Sequence, residues 1–351
     1  MSIARCAVVT AFVSLALALS GRAAAAVPAK CTLVRIAEWQ IRQGGNVPVV
    51  DGAINGQNVG VLLDTGSGTT LIVRSAALRL GLVRYDAQGH RMLGVGGETA
   101  VESVTIDELK IGDAVRRNWR MFVAGDQDFG DIAVILGDDF FRQVDIEFDL
   151  AHNSVRLFQA KDCEGAALAY WASGDIGVVE IEAVSDAKPT IELSVEINRR
   201  PVRAQLDSGA FQSVLTQGEA AALGFTAESP GVGGADCGKG LGERSIESRV
   251  GQFESFGIGN EVIRNPRIHV ADLWRYSTYT ETGSRVPIAS VQPQMLLGAD
   301  FLRSHRVFVA HSQRKMYFTY AGGTVFPVAP AKACNDRPPP ASDARPVPGG
   351  N

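Results

Sequence analysis

No CxxC or HxxxH spacing occurs in the 351 residues, and the five histidines are scattered, so a zinc site has no framework. Long apolar runs are missing too. The stretch from Cys6 to Ser20 is shorter than the roughly 20 residues that a membrane-spanning helix needs, and no later stretch is longer. Runs of Lys or Arg are absent and the net charge is −4, which argues against nucleic acid or an anionic membrane surface as partner. What remains is ordinary globular composition, 46% hydrophobic and 21% charged, in a chain long enough for two domains.

The N-terminal residues read as an export signal. Arg5 gives a positive start, the apolar run follows, and Ala23 to Ala26 offers a small-residue cleavage site, so residues 1–26 are expected to be a signal peptide and the mature protein periplasmic or secreted. Cys6 leaves with that segment. The remaining Cys31, Cys163, Cys237 and Cys334 are even in number in a compartment that permits disulfides. Of the three possible pairings, one bridge per half of the chain is favoured.

An internal duplication organises the rest. The stretch Val47 to Gly56 aligns without gaps on Thr190 to Arg199, and each leads to an acid, Asp64 and Asp207, 143 residues apart. Both copies read as a strand, a tight turn at Asn55-Gly56 or Asn198-Arg199, and a return strand ending at the Asp. Short helices follow, Ser75 to Leu80 before Gly81 and Thr216 to Leu223 before Gly224, the second with a Thr216/Glu219 capping box. Then come Gly94-Val95-Gly96-Gly97 and Gly231-Val232-Gly233-Gly234. The segments from Ile111 and Ile258 match next, and then Leu136-Gly137 and Leu297-Gly298, each followed by a strand pair. Insertions in the second copy fall near Cys237 to Glu243 and Tyr276 to Val291.

Two equivalent carboxylates that meet across a pseudo-twofold axis cannot both stay charged at close range. They share a proton, so one carboxylate takes a proton from water while the other serves the carbonyl under attack. Thr65 and Ser208 carry hydroxyls suited to locking the two loops together, and Gly66 and Gly209 let backbone approach the acids. Ser67 adds a hydroxyl that Ala210 lacks. Asp138, Asp139 and Asp300 read as helix N-terminal residues favouring the local dipole. Trp119, Trp171 and Trp274 could line a peptide cleft, with core or interface packing the first expectation for each, and the histidines read as solvated or capping groups.

Leu63-Asp64-Thr65-Gly66-Ser67 and Leu206-Asp207-Ser208-Gly209-Ala210, each followed by a Leu-Gly segment, resemble the retropepsin-type aspartic peptidases. The resemblance covers most of residues 46–320. It implies an all-β fold of two tandem β-barrel lobes related by a pseudo-twofold axis, with both lobes in one chain as in pepsin-like enzymes. It also implies Asp64 and Asp207 as catalytic acids, Leu136, Gly137, Leu297 and Gly298 packed beneath them, and the glycine clusters at 94–97 and 231–234 as flap tips over a peptide or unfolded protein substrate. No cofactor or metal is expected. The expected boundaries are an N-terminal strand or short pro-segment at 27–45, a first lobe at 46–161 and a linker at 162–176. A second lobe follows at 177–330, and then a disordered Pro/Gly-rich tail at 331–351. A monomer is the first expectation. Two alternatives stay open: a non-catalytic peptide-binding module that keeps the fold, and lobes that pair in trans in a homodimer.

Overall fold

The computed structural model describes residues 30–185, 188–226, 228–229, 236–276, 292–328 and 334. The signal segment, the tail apart from Cys334, Gly231, Val232, Gly233 and Gly234, and the insertion at 277–291 lie outside them.

The duplicated hairpins form as the turn residues dictate. Val49–Ile54 pairs with Gln57–Leu63, and Glu192–Ile197 with Arg200–Leu206. Both turns put two residues at positive φ: 48° and 79° at Asn55-Gly56, 51° and 63° at Asn198-Arg199. Asn suits the first position because its short amide tolerates that conformation. Here the amide also does a second job. Asn55 Oδ1 accepts from the backbone of Asp107 and Glu108, each at 3.0 Å, and Asn198 Oδ1 from Glu254 and Ser255 at 2.7 and 3.2 Å. Each turn is thereby stitched to a third strand of its own lobe.

In the first lobe a seven-stranded sheet closes on itself, because Val49–Ile54 also pairs with the end of the long strand Gly97–Ile111. That long strand runs antiparallel to Ala114–Ala124. The second lobe repeats the plan with both long strands broken. Ile246–Gln252 and Ser255–Ile258 replace one, and Glu261–Arg264 and Arg267–Ala271 replace the other. Pro266, which has no N–H to give to a ladder, sits at the second break, and its carbonyl accepts from Phe253 N at 3.0 Å.

A third, six-stranded sheet joins the lobes. Its order is Thr32–Gln40, Ser154–Lys161, Asp145–Asp149, His305–Ala310, Lys315–Tyr320 and Gly177–Glu180. The pseudo-twofold axis passes between the two central strands, where Phe148 faces Val307 and Ile146 faces Val309. Alternation divides the sheet's faces: Ile146, Phe148, Val307 and Val309 join the main core, while Phe158, Phe308 and Tyr317 pack on the other side with Cys163, Ala166, Leu168 and Ala169 from the inter-lobe segment. Residues 32–40, which sequence left as a strand or a pro-segment, form one edge of this sheet and bury Trp39. Disulfides join Cys31 to Cys163 and Cys237 to Cys334, one anchoring that edge strand and the other holding a second-lobe hairpin to the C-terminal segment.

Three local expectations need correction. Thr216 Oγ1 accepts from Glu219 N at 3.3 Å, but the Glu219 carboxylate is taken by Gln294 Nε2, so only half of the capping box forms. His269 and His305 are buried rather than solvated: Nδ1 of His269 lies 3.0 Å from Ser248 Oγ, and Nε2 of His305 lies 3.1 Å from the Glu261 carboxylate. Trp274 lines the inter-lobe cleft, with its indole N–H donating to Pro293 O at 3.0 Å.

Candidate active site

Strand geometry delivers the two acids to one place. Leu63 pairs in parallel with Leu136, and Leu206 with Leu297, so each acid-bearing loop leaves its sheet beside a Leu-Gly segment. Asp64 N donates to Leu136 O and Asp207 N to Leu297 O, both at 2.9 Å. The segments are pinned symmetrically. Gly137 N donates to Thr70 Oγ1 at 3.0 Å, and Gly298 N to Ser213 Oγ at 2.9 Å. Those hydroxyls in turn donate to Asp139 and Asp300, each at 2.6 Å, and the same carboxylates accept from the Thr70 and Ser213 amides. Asp139 and Asp300 are thus loop anchors, beyond the dipole role read from sequence.

Below the acids the loops exchange hydrogen bonds. Thr65 Oγ1 donates to Leu206 O at 2.7 Å and accepts from Ser208 N at 3.0 Å; Ser208 Oγ donates to Leu63 O at 2.7 Å and accepts from Thr65 N at 3.0 Å. Both side chains are fully buried, where such bonds are strong and costly to leave unmade. Each loop glycine lies against the acid of the other lobe. A Cβ on Gly66 would stand 2.3 Å from Asp207 Cγ, and one on Gly209 2.4 Å from Asp64 Cγ, so no other residue fits.

The two carboxyl groups hydrogen-bond one another. Asp64 Oδ1 accepts from Gly66 N and Ser67 N at 2.8 and 3.1 Å, and Asp207 Oδ1 from Ala210 N at 2.9 Å. Burial first, and then the negative charge of Asp207, push the Asp64 carboxyl up to about 8, against the pull of the Gly66 and Ser67 amides. Burial raises Asp207 as well, opposed by the Ala210 and Gly209 amides and by the bond from Asp64. Ser67 does not touch either acid through its hydroxyl, which donates to Thr69 O at 2.8 Å.

Above the acids lies a cleft of about 810 Å³ walled by both lobes. Leu62, Leu71, Met92 and Ile135 line it on one side, and Val214, Leu273 and Leu296 on the other. A roof crosses it. The first-lobe hairpin turns at Val95-Gly96, between Gly94 and its partner Gly97. The second-lobe hairpin, Asp236–Gly238 with Ile246–Gln252, turns through residues 239–245. That turn meets the first tip; the run Gly231 to Gly234, expected as the second flap tip, lies outside the described residues. Gly242 N donates to Val95 O at 3.1 Å, Arg244 N to Gly96 O at 3.2 Å, and Asp126 N to Leu241 O at 3.1 Å. Sequence reasoning missed this turn because Gly231-Val232-Gly233-Gly234 matches the first tip residue for residue, whereas Gly240-Leu241-Gly242-Glu243 matches it at two of three glycines. Steady growth of the repeat offset from 143 to 147 points to it.

Two β lobes joined by a shared sheet, each sending one carboxylate to the floor of a common cleft, define the acid-protease class. An aspartyl protease family model matches residues 50–140 and 193–301, one match in each lobe and together more than half of the chain. The chain belongs to the aspartyl protease family, with two tandem retropepsin-like lobes. Among curated proteins, none matches it in sequence.

Proposed function

We propose that the protein is an aspartic endopeptidase in which Asp64 and Asp207 activate a water molecule. One observation carries this reading: both carboxyls, held by backbone amides and by the Thr65/Ser208 exchange, make contact at the floor of a cleft wide enough for a peptide. Raised affinity for protons in both acids keeps one proton on the pair at neutral pH. Asp64 holds it and donates to the substrate carbonyl oxygen, while ionised Asp207 takes a proton from water. The hydroxide-like oxygen adds to the carbonyl carbon. The proton on Asp207 then passes to the amide nitrogen as the C–N bond breaks, and Asp64 recovers its own as the diol collapses to a carboxylic acid. The hairpin tips around Gly94–Gly97 and 239–245 act as flaps that part to admit the chain.

Both halves of the dyad lie in one chain and share one central sheet, which supports a working monomer over pairing in trans. Two disulfides fit an oxidising compartment, in keeping with export through the N-terminal segment. Because Thr32–Gln40 completes the central sheet, we read it as part of the mature enzyme and not as a removable pro-segment.

The test is cleavage of an unfolded protein by the wild type and by Asp64→Asn and Asp207→Asn. Each substitution is expected to abolish turnover, and a statine-type inhibitor to block the wild type. Activity is expected to fall above about pH 8, as the shared proton is lost. Turnover surviving both single substitutions refutes the dyad. A wild type that binds peptides tightly without cleaving them favours the non-catalytic module, for which the hydrogen-bonded roof is the supporting observation.

A further inference from the structure

The duplication makes the two walls of the cleft comparable position by position, and they differ in chemistry. On the first lobe, Val49 pairs with Leu62, two residues before Asp64. The equivalent pair on the second lobe is Glu192 with Gln205, two residues before Asp207. Gln212 stands where the first lobe has Thr69. Glu192, Gln205 and Gln212 all line the cleft, and all three are at least nine-tenths buried, with exposures of 6, 6 and 9%. Two other equivalent positions, Leu71 with Val214 and Ile135 with Leu296, are apolar in both copies.

Two of these three side chains keep a buried atom without an internal hydrogen bond. Gln205 Nε2 donates to Gly66 O at 3.1 Å, but Glu192 Oε2 and Gln212 Nε2 are buried without a hydrogen-bond partner. Leaving such groups unpaired costs about 1–3 kcal/mol each, so their presence on a cleft wall calls for an external partner. One unpaired group is an acceptor and the other a donor. Charge around Glu192 is already countered: Arg203 Nε lies 3.6 Å from Oε2, Lys188 is near and itself bonded to Glu182 at 2.6 Å, and Glu182 restores a negative charge beyond it. A cation would meet Glu192 but would leave the Gln212 amide N–H facing another donor. A carboxamide offers both an N–H and a C=O.

We infer that the second-lobe wall is a subsite for a Gln or Asn side chain next to the scissile bond, while the first-lobe wall takes an apolar one. The inference rests on the endopeptidase reading of the site. Peptides carrying Leu on one side of the scissile bond and Gln, Asn, Lys, Glu or norleucine on the other, in both orders, test it by kcat/KM. Gln or Asn in one order is expected to exceed norleucine by about 10- to 100-fold, with Lys and Glu below both amides. The double variant Glu192→Val/Gln205→Leu, which copies the first lobe, is expected to reverse that order in favour of norleucine; a thermal melt checks that it folds. Equal cleavage of Gln and norleucine peptides, a preference for Lys, or a preference unmoved in the double variant overturns the inference.

A second measurement separates this from the catalytic reading. Calorimetry with non-cleavable reduced-bond peptides on Asp207→Asn reads the subsite without turnover. Tighter binding of the Gln peptide by a protein whose wild type cleaves nothing keeps the subsite and removes the chemistry. Cleavage without side-chain preference does the opposite, and absence of both binding and cleavage removes both.

Discussion

Replacing Asp138 with Asn should make the protein more stable at alkaline pH and leave it unchanged in acid. Asp138 opens the short helix Asp138–Phe141 with a fully buried side chain, and neither carboxyl oxygen has a hydrogen-bond partner. Burial raises its pKa, the Arg142 charge opposes the rise and the neighbouring Asp139 adds to it, with the result near 7 against 3.8 for a free side chain. The folded state therefore holds this proton more tightly than the unfolded chain does. Stability from the protonated form is fully present below about pH 4 and is lost as pH rises through about 7. A move from 3.8 to about 7 corresponds to a loss of about 4 kcal/mol on that rise. Asn has nearly the same shape and does not titrate. Urea unfolding of both proteins from about pH 4 to about pH 9 should give curves that coincide in acid and separate toward about 4 kcal/mol in favour of Asp138→Asn at the alkaline end. The dyad titrates in both proteins and cancels in the difference. A pH-independent difference, or an alkaline loss of stability in the variant, refutes the reasoning. The second lobe supplies a natural control, since the equivalent helix begins with Ala299.

Two further changes probe the roof and the joint between the loops. Gly96 has φ +91°, and a Cβ there would stand 2.3 Å from Arg244 O, so Gly96→Val should stop the tips from meeting; a fall of about 100-fold in kcat/KM with an unchanged melting temperature is the expected result. Thr65→Val removes one donor to Leu206 O and one acceptor for Ser208 N, which should cost about 2–4 kcal/mol in denaturant unfolding, while Thr65→Ser keeps most of it.

Much of this site was legible because its chemistry is written twice. Asp64-Thr65-Gly66 alone is compatible with a turn; Asp207-Ser208-Gly209 at the same place in a second copy makes it half of the proposed dyad. The hairpins, the Leu-Gly segments and the central strand pairs follow from the same repeat. What stayed hidden depends on side-chain partners or on strand register. The turn at 239–245, where Leu241-Gly242 meets Val95, is not legible as a tip because Gly231 to Gly234, outside the described residues, match Gly94 to Gly97 in composition. Asp139 and Asp300 read as dipole residues because nothing local shows that their carboxylates reach back across the lobe to Thr70 and Ser213. The six-stranded sheet was likewise out of reach, since it pairs the first half with the second and recruits Thr32–Gln40 from outside the repeat.

Covalent tandem arrangement also explains why the two halves differ where they do. Identical subunits around a true twofold axis must place the same residue at both equivalent positions, so a substitution tolerated on one wall is imposed on the other. In a single chain each copy answers only to its own surroundings. The positions that hold the carboxyls in register are kept in pairs: Thr65 with Ser208, Gly66 with Gly209, Thr70 with Ser213, and Asp139 with Asp300. Those that face the cleft or lie beside it have separated: Leu62 from Gln205, its strand partner Val49 from Glu192, and Asp138 from Ala299. On the endopeptidase reading, chemistry at the floor demands the symmetry and recognition at the walls does not. If the Glu192→Val/Gln205→Leu variant folds and cleaves with the same preference on both sides of the scissile bond, that division of labour is demonstrated in one chain.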